Sequence, residues 1–375
     1  VRESIHKMRP SANPGPSGWS VSLTRVALRS DSMARFICNL VNGMYRGNAP
    51  AHSLYTASRL TAIQKPTSGI RPIATGEVFY RLAMRVILKS LGPQGPGCLL
   101  PTQFGVGSPC GTEPIIRAAE HVHAGTLPHT VVTTLDFSNA YNTVRRSAIS
   151  AAVDKYCRRL YHLARWAYGR PSPLLFKALS KESTNEILDP NRDPRAERPR
   201  REYLTIKLES AEGVRQGDPL APLLFSLAIR PFLEQLQAEL GPDHIVLAYL
   251  DDVVVLSKQP VDVISTAAAV SEQLDIGLRL NVNKSRVYTK EQIAVGGIPI
   301  LGTVVGGLPG RAEFAHSVVT ALEDAVTRLC RSDLDTQGAW LLLSQCIQLR
   351  NRHLQRQLRG DDIPWFWERL DDAIQ

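Results

Sequence analysis

The clearest pattern in the chain is a set of short apolar, β-branched runs that end against acidic residues. Thr130-Val131-Val132-Thr133-Thr134-Leu135 leads into Asp136 and predicts a buried strand. Two more runs, Ile245–Tyr249 and Val253–Ser257, flank Leu250-Asp251-Asp252 and predict a hairpin. Upstream, Ala57–Ile63 and Ile70–Ala74 predict strands joined by a turn over Lys65-Pro66-Thr67-Ser68-Gly69. Helical spacing predicts helices over Ser30–Tyr45, Glu77–Lys89 and Glu113–His123, a helical region from Arg146 to Tyr168, and a long apolar helix over Leu220–Leu240. A strand over Tyr203–Leu208, a helix over Asp262–Leu274, short strands near Ser285–Thr289 and Pro299–Val305, and a helical remainder from about Arg311 complete the pattern. Gly92–Gly111 and the arginine-rich Asp189–Arg201 read as loops. There is no internal repeat and no βαβαβ rhythm, so the expected class is α+β with antiparallel sheet and packed helices.

Composition adds a partner class. Among 375 residues, 44 are Lys or Arg and 35 are Asp or Glu, for a formal net charge of +9. That excess fits a polyanionic partner such as nucleic acid. The six cysteines, Cys38, Cys98, Cys110, Cys157, Cys330 and Cys346, form no CxxC pair, which argues against a zinc knuckle or a disulfide framework. His121 and His123 have no third ligand at metal spacing, so packed or solvated histidines are the expectation. No apolar run approaches the ~18 residues of a membrane span. The chain opens at Val1, which fits a piece of a longer polyprotein.

The candidate chemistry lies in the carboxylates. Asp251 and Asp252 at a tight turn repel each other unless a cation lies between them. Asp136 at the end of a second strand would be costly to bury alone. Three aspartates on two adjacent strand ends can instead hold two Mg²⁺ ions about 4 Å apart, with hard oxygen ligands and open positions for water and phosphate.

These residues fall in a series of motifs. Leu135-Asp136-Phe137-Ser138-Asn139-Ala140-Tyr141-Asn142-Thr143-Val144, then Gly213-Val214-Arg215-Gln216-Gly217-Asp218-Pro219-Leu220-Ala221-Pro222-Leu223-Leu224-Phe225, then Tyr249-Leu250-Asp251-Asp252 resemble the first three catalytic motifs of reverse transcriptases. Gly277–Ser285 is similar to the fourth and Ile300–Gly306 to the fifth. Pro14–Trp19 and Arg71-Pro72-Ile73-Ala74 through Ala83 resemble the opening motifs of the non-LTR, LINE-type retrotransposon enzymes.

The resemblance implies a right-hand polymerase fold: fingers over 1–130, a palm over 131–306 and a helical thumb over 307–375. It implies RNA template, DNA primer or RNA–DNA duplex and dNTPs as partners, Mg²⁺ with Mn²⁺ as a substitute, no membrane, and a nuclear or cytoplasmic setting. Asp136, Asp251 and Asp252 would be metal ligands, helped by the Phe137 carbonyl. Tyr141 would be the steric gate beneath the incoming sugar, or else a packed core tyrosine. Gln216 and Gly217 would touch the nucleotide where the long helix begins, with Asp218 as N-cap and Pro219 in the first turn. Lys65 and Arg71 would clamp the triphosphate. Lys284 is a candidate general acid or a solvated lysine. Leu301 and Gly302 would form the primer-grip hairpin.

Outside the motifs, Arg192, Arg195, Arg198, Arg200 and Arg201 form a charged loop. Arg352, Arg356 and Arg359 are expected on one helical face opposite Leu343, Ile347, Leu354 and Leu358. An RNA-dependent RNA polymerase would more typically carry Gly at position 250 and a second Asp at position 141, where this chain has Leu250 and Tyr141. The other alternative is a non-catalytic RNA-binding scaffold, which the survival of all three aspartates disfavours.

Overall fold

The computed structural model describes residues 1–65, 69–92, 97–179, 202–358 and 363–374. The arginines from 192 to 201, Arg359 and most of the turn at 66–68 lie outside the described residues. The architecture is mixed helix and sheet, and the chain divides into two compact units. The first comprises Val1–Gly107, Phe137–Phe232 and Ser271–Arg279; the second comprises Ser108–Asp136, Leu233–Val270 and Leu280–Gln375.

The first unit is built on a four-stranded sheet. Its strands are β1 (Ser58–Gln64) and β2 (Ile70–Gly76), with β4 (Ser172–Leu179) and β5 (Tyr203–Ser210), in the order β2-β1-β4-β5. The β1–β2 and β4–β5 pairs are antiparallel, and β1 runs parallel to β4 with Ser58 opposite Leu174. β4 has no counterpart in the sequence reading, because Ser172-Pro173-Leu174-Leu175-Phe176 is short, lacks alternation and begins beside prolines. The helices Asp31–Tyr45 and Val78–Leu91 pack together, burying Ile37 and Met44 of one and Leu82, Ala83, Met84 and Ile87 of the other. The predicted helical region resolves into Arg146–Tyr156 and Tyr161–Tyr168 with a single 3-10 turn between them.

The second unit holds the sheet that carries the acidic strand ends. β3 (Val131–Leu135), β6 (His244–Tyr249), β7 (Asp252–Ser257) and β8 (Arg286–Thr289) lie in the order β6-β7-β3-β8, all antiparallel. The two central strands are buried on both faces, from Val131 to Thr133 and from Val253 to Ser257. That placement explains why they read as continuous β-branched runs and not as alternation. The Thr112–Ala124 helix packs on this sheet and ends at Gly125, whose φ of +73° is the left-handed conformation a helix stop favours. The Lys290–Gly296 helix was not anticipated, although its signature was present. The Thr289 hydroxyl accepts from the Gln292 N–H while the Gln292 side chain accepts from the Thr289 N–H, a complete capping box.

β9 (Ile298–Ile300) and β10 (Thr303–Val305) form a hairpin closed by Leu301-Gly302, both at positive φ (+47° and +84°). The following Leu308–Cys330 helix and the Pro364–Asp372 helix share a core of Ala315, Val319, Leu322, Leu354, Leu358, Ile363, Phe366 and Leu370. The single amphipathic helix expected through Leu343–Leu358 does not form. The chain makes a π-turn over Leu343–Ile347, then irregular turns, then a short helix over Leu354–Gln357. Asn351 stands where the next apolar step after Ile347 would fall, so the stripe breaks there. Arg352 therefore precedes the helix that contains Arg356, and Arg356 is ion-paired with Glu113 at 3.0 Å.

Phe366 is fully buried in this C-terminal core. Phe366→Ala is expected to cost about 3–5 kcal/mol. Hydrogen–deuterium exchange should show the loss of protection concentrated in the Leu308–Cys330 and Pro364–Asp372 helices.

Candidate active site

The second unit brings the three aspartates to one end of its sheet. β3 pairs with β7 up to Leu135 opposite Val253, so one step further Asp136 faces Asp252 across the strand ends. Tyr249 pairs with Asp252, leaving Leu250-Asp251 as a two-residue turn. Leu250 sits at φ +57°, a left-handed conformation that costs a non-glycine residue about 1 kcal/mol or more. The hairpin is therefore held in a form that presents both carboxylates in succession.

The backbone of Asp136 is pinned from the opposite side. Its N–H donates to the Ser285 hydroxyl at 3.2 Å, and its carbonyl accepts from the Asn281 N–H at 2.8 Å. The Ser285 hydroxyl in turn donates to the Asn281 carbonyl at 3.0 Å. The predicted fourth motif thus acts as a brace for Asp136, with Lys284 exposed on the same turn.

Solvent reaches the Asp252 side chain, while Asp136 and Asp251 are half-buried. Partial desolvation by the surrounding protein, followed by the charges of Asp251 and Asp136, pushes the Asp252 carboxyl up to about 6. The three charges act on one another, and a cation placed among them would relieve that repulsion. Among the described residues no three His, Cys, Asp or Glu side chains make a ready-made metal site unaided. The donor set is nonetheless all oxygen and open to solvent, which suits a hard cation whose shell is completed by water or substrate phosphate.

The nucleotide-site candidates lie in the first unit. Lys65 and Arg71 belong to the β1–β2 hairpin, where Ile63 pairs with Arg71 and the Lys65 N–H donates to the Gly69 carbonyl. The Ala74 N–H of β2 donates to the Gln216 carbonyl at 2.7 Å. Gly217 has φ +106°, and a Cβ there would lie 2.8 Å from the Ala74 carbonyl oxygen, so glycine is required for this approach. The hairpin and the Gln216-Gly217 turn are therefore one connected surface. Phe137 buries its ring edge-on against Phe232 at 5.4 Å. Tyr141 is half-buried and stacks on Phe225 at 4.5 Å. Its carbonyl accepts from the Val214 N–H at 2.7 Å. Gly213, at φ +59°, has no room for a Cβ, which would fall 2.4 Å from the Tyr141 carbonyl oxygen.

A buried polar network around this turn was not read from the sequence beyond a capping role for Asp218. One Asp218 oxygen accepts from the Leu220 N–H at 2.9 Å, but the helix begins at Ala221, so Asp218 and Pro219 lie before the N-cap and first-turn positions expected of them. The other accepts from Arg215 at 2.7 Å, Tyr80 at 2.7 Å and Tyr168 at 2.6 Å. Arg215 also donates to the Ser172 hydroxyl at 2.6 Å, and both ions are almost fully buried. Burial, then the Asp218 charge, raises the Tyr80 and Tyr168 hydroxyls. Burial alone would lower Arg215, but Tyr168, Tyr80 and Asp218 outweigh it and hold the guanidinium above its usual range. The sequence marked only the pair, two opposite charges three residues apart between the apolar Val214 and Leu220, and not its tyrosine partners.

The primer-grip candidates, Leu301 and Gly302, form the tight turn expected of them. The Gly302 carbonyl lies 3.4 Å from the His353 ring nitrogen Nε2.

Two stability measurements follow from this geometry. Asp218→Ala leaves Arg215 buried without its counter-charge and is expected to cost about 3–5 kcal/mol in urea unfolding, much of it recovered in an Arg215→Met/Asp218→Leu double variant. Asp252 has a folded pKa above its unfolded value, so its penalty is absent below about pH 4, grows through the window up to about pH 6, and is complete above it. Asp252→Asn should therefore raise the Tm of the metal-free protein at pH 7.5. After solvent screening the gain is of order 1 kcal/mol, and it should vanish at pH 4.

Residues 63–302 match the family described as reverse transcriptase (RNA-dependent DNA polymerase). The chain is 27% identical over 286 residues to the retrotransposable element SLACS 132 kDa protein of Trypanosoma brucei gambiense, covering 75% of this chain and 22% of that protein. It is 28% identical over 306 residues to the Pol polyprotein from the type-1 retrotransposable element R2 of Popillia japonica, covering 76% of this chain and 38% of that protein. The chain thus spans well under half the length of these curated relatives. Among solved structures, apo telomerase from Candida tropicalis aligns with a TM-score of 0.46 at 13% identity, covering 92% of this chain and 63% of that one. The matched stretch runs from β1 to the Leu301-Gly302 turn and takes in the acidic strand ends, and on that basis the chain belongs to the reverse transcriptase (RNA-dependent DNA polymerase) family, in its non-LTR retrotransposon branch.

Proposed function

We propose that this chain is an RNA-directed DNA polymerase that extends a primer 3′-hydroxyl with dNTPs on an RNA template by two-metal-ion nucleotidyl transfer. The observation that carries the reading is the gathering of Asp136, Asp251 and Asp252 at one sheet end, with Asp252 pushed up to about 6 by desolvation and by its two neighbours. Asp136, Asp251, Asp252 and the Phe137 carbonyl would hold Mg²⁺, or Mn²⁺ in its place. Bound there, the cations supply charge neutralisation at the phosphates and a lower pKa at the primer hydroxyl.

The chain's own groups do the positioning. The strained Leu250 turn and the Asn281–Ser285 brace fix where the carboxylates stand. Fixed placement of reactants accounts for much of the rate in phosphoryl transfer. Arg71 offers a planar fork for phosphate oxygens and Lys65 a point charge. Gln216 and Gly217 present backbone and amide donors at the turn preceding the Ala221–Leu240 helix. Tyr141, braced by Phe225, would set its ring against the sugar and exclude a 2′-hydroxyl. Lys284 would deliver a proton to the leaving pyrophosphate, and Leu301-Gly302 would grip the primer. In functional terms residues 1–130 serve as fingers, 131–306 as palm and 307–375 as thumb.

Primer extension on an RNA template with an annealed DNA primer and Mg²⁺ tests the proposal. Wild-type protein should incorporate dNTPs and discriminate strongly against rNTPs, and Asp251→Ala should lose activity by at least about a thousandfold. Tyr141→Ala should retain dNTP incorporation while gaining at least about tenfold in rNTP use. A folded, duplex-binding protein that extends with neither nucleotide set would refute polymerase activity in this chain.

A further inference from the structure

Two adjoining cavities in the first unit lie along the Tyr161–Tyr168 helix, and none of the residues assigned above to nucleotide or metal lines either of them. The first, about 610 Å³, is walled by Asn48, His52, His162, Arg165 and Arg170 among others. The second, about 570 Å³, shares Arg165 and Arg170 and adds Arg146, Ser147, Ser150 and Tyr161. Among the described residues neither wall contains an Asp or a Glu. The next cavity along, past Ser147, is lined by Glu212, Glu272 and Asp275, so the one-signed stretch is confined to the first two.

The cations in this stretch differ in kind. Arg146 is committed to the fold: its guanidinium donates to the carbonyls of Gly213, Tyr168, Arg170 and Ser210 and to the Ser210 hydroxyl. Arg165 and Arg170 are exposed, and among the described residues neither guanidinium is ion-paired. Burial, then the charges of Arg215 and Arg170, hold the His52 imidazole below its usual range. Arg165 and Arg170 thus place positive charge in both walls, with no carboxylate among the described lining residues.

We propose that these paired cavities form a second nucleic-acid contact, in which Arg165 and Arg170 hold successive phosphates of a single-stranded segment. The guanidinium fork matches phosphate oxygens, and Asn48, Ser147 and Ser150 add neutral donors beside it. Two concavities that share two arginines suit a strand free to bend into each, where a stiff duplex would bridge over them. The shared chemistry is the phosphodiester backbone, so an RNA template strand and a DNA strand are both sources of the ligand. The site shares no residue with those assigned to the polymerase centre and does not depend on that reading.

The test is fluorescence anisotropy on the full chain, with a primer–template duplex that is either blunt or extended by a long single-stranded template overhang, made as RNA or as DNA. In Arg165→Glu/Arg170→Glu, affinity for overhung duplex should fall at least about fivefold, and the salt dependence should become shallower by about 1.4, or ~0.7 for each lost single-strand phosphate contact. Blunt-duplex affinity, and single-nucleotide incorporation on a duplex with a one-nucleotide template overhang, should stay at the wild-type level. Loss confined to the RNA overhang would support the contact and add the 2′-hydroxyl to what it recognises. Equal loss on blunt and overhung duplex would overturn the proposal, because the arginines would then serve the duplex itself. Unchanged binding throughout would also overturn it and leave a solvated face or a surface for an acidic protein. If the charge reversal fails to fold, Arg165→Gln/Arg170→Gln applies the same comparison. A wild type that binds but does not extend would leave the binding comparison intact, so the two readings fail separately.

Discussion

The buried pair between Arg215 and Asp218 is the constraint on which the first unit turns. Two opposite charges lie almost wholly out of water, and two tyrosine hydroxyls share the carboxylate oxygen that the guanidinium holds. Partners reach it from the Val78–Leu91 helix through Tyr80, from the Tyr161–Tyr168 helix through Tyr168, and from β4 through Ser172. Such a pair adds little net stability compared with well-packed apolar residues, but it tolerates few alternative arrangements once formed. Its consequence is local. The two residues between Arg215 and Asp218 are Gln216 and Gly217, and they are held against Ala74 of β2 in a conformation only glycine takes up easily. A charge network fully satisfied inside the protein thus fixes the shape of an exposed turn.

The second unit reverses that logic. Its three aspartates face one another across strand ends, and the hairpin carries a strained Leu250 to present two of them together. Arrangements that oppose stability in this way are expected where a ligand completes the site. The brace from Asn281 and Ser285 holds the Asp136 backbone while leaving its carboxylate to act.

Most of this was legible in the sequence, for identifiable reasons. β3 and β7 announced themselves because strands buried on both faces must be continuously apolar, so a terminal Asp stands out. The Ala221–Leu240 helix and the Leu301-Gly302 turn were readable from periodicity and from a glycine suited to positive φ. β4 was hidden because its pairing with β1 is a long-range, parallel contact with no local signature. The Arg215 network was hidden for a related reason: Tyr80 and Tyr168 lie far from Asp218 along the chain, and nothing near either residue indicates that they converge. The C-terminal stripe misled because leucine spacing implied one helix where Asn351 interrupts it.

Polymerase chemistry at this sheet end requires the three aspartates to gather cations, and Mn²⁺ binding followed by electron paramagnetic resonance measures that directly. Wild-type protein should remove Mn²⁺ from the free pool, and Asp251→Asn and Asp252→Asn should each weaken that uptake at least about tenfold while leaving the fold intact. Uptake of equal strength in all three proteins would contradict the account.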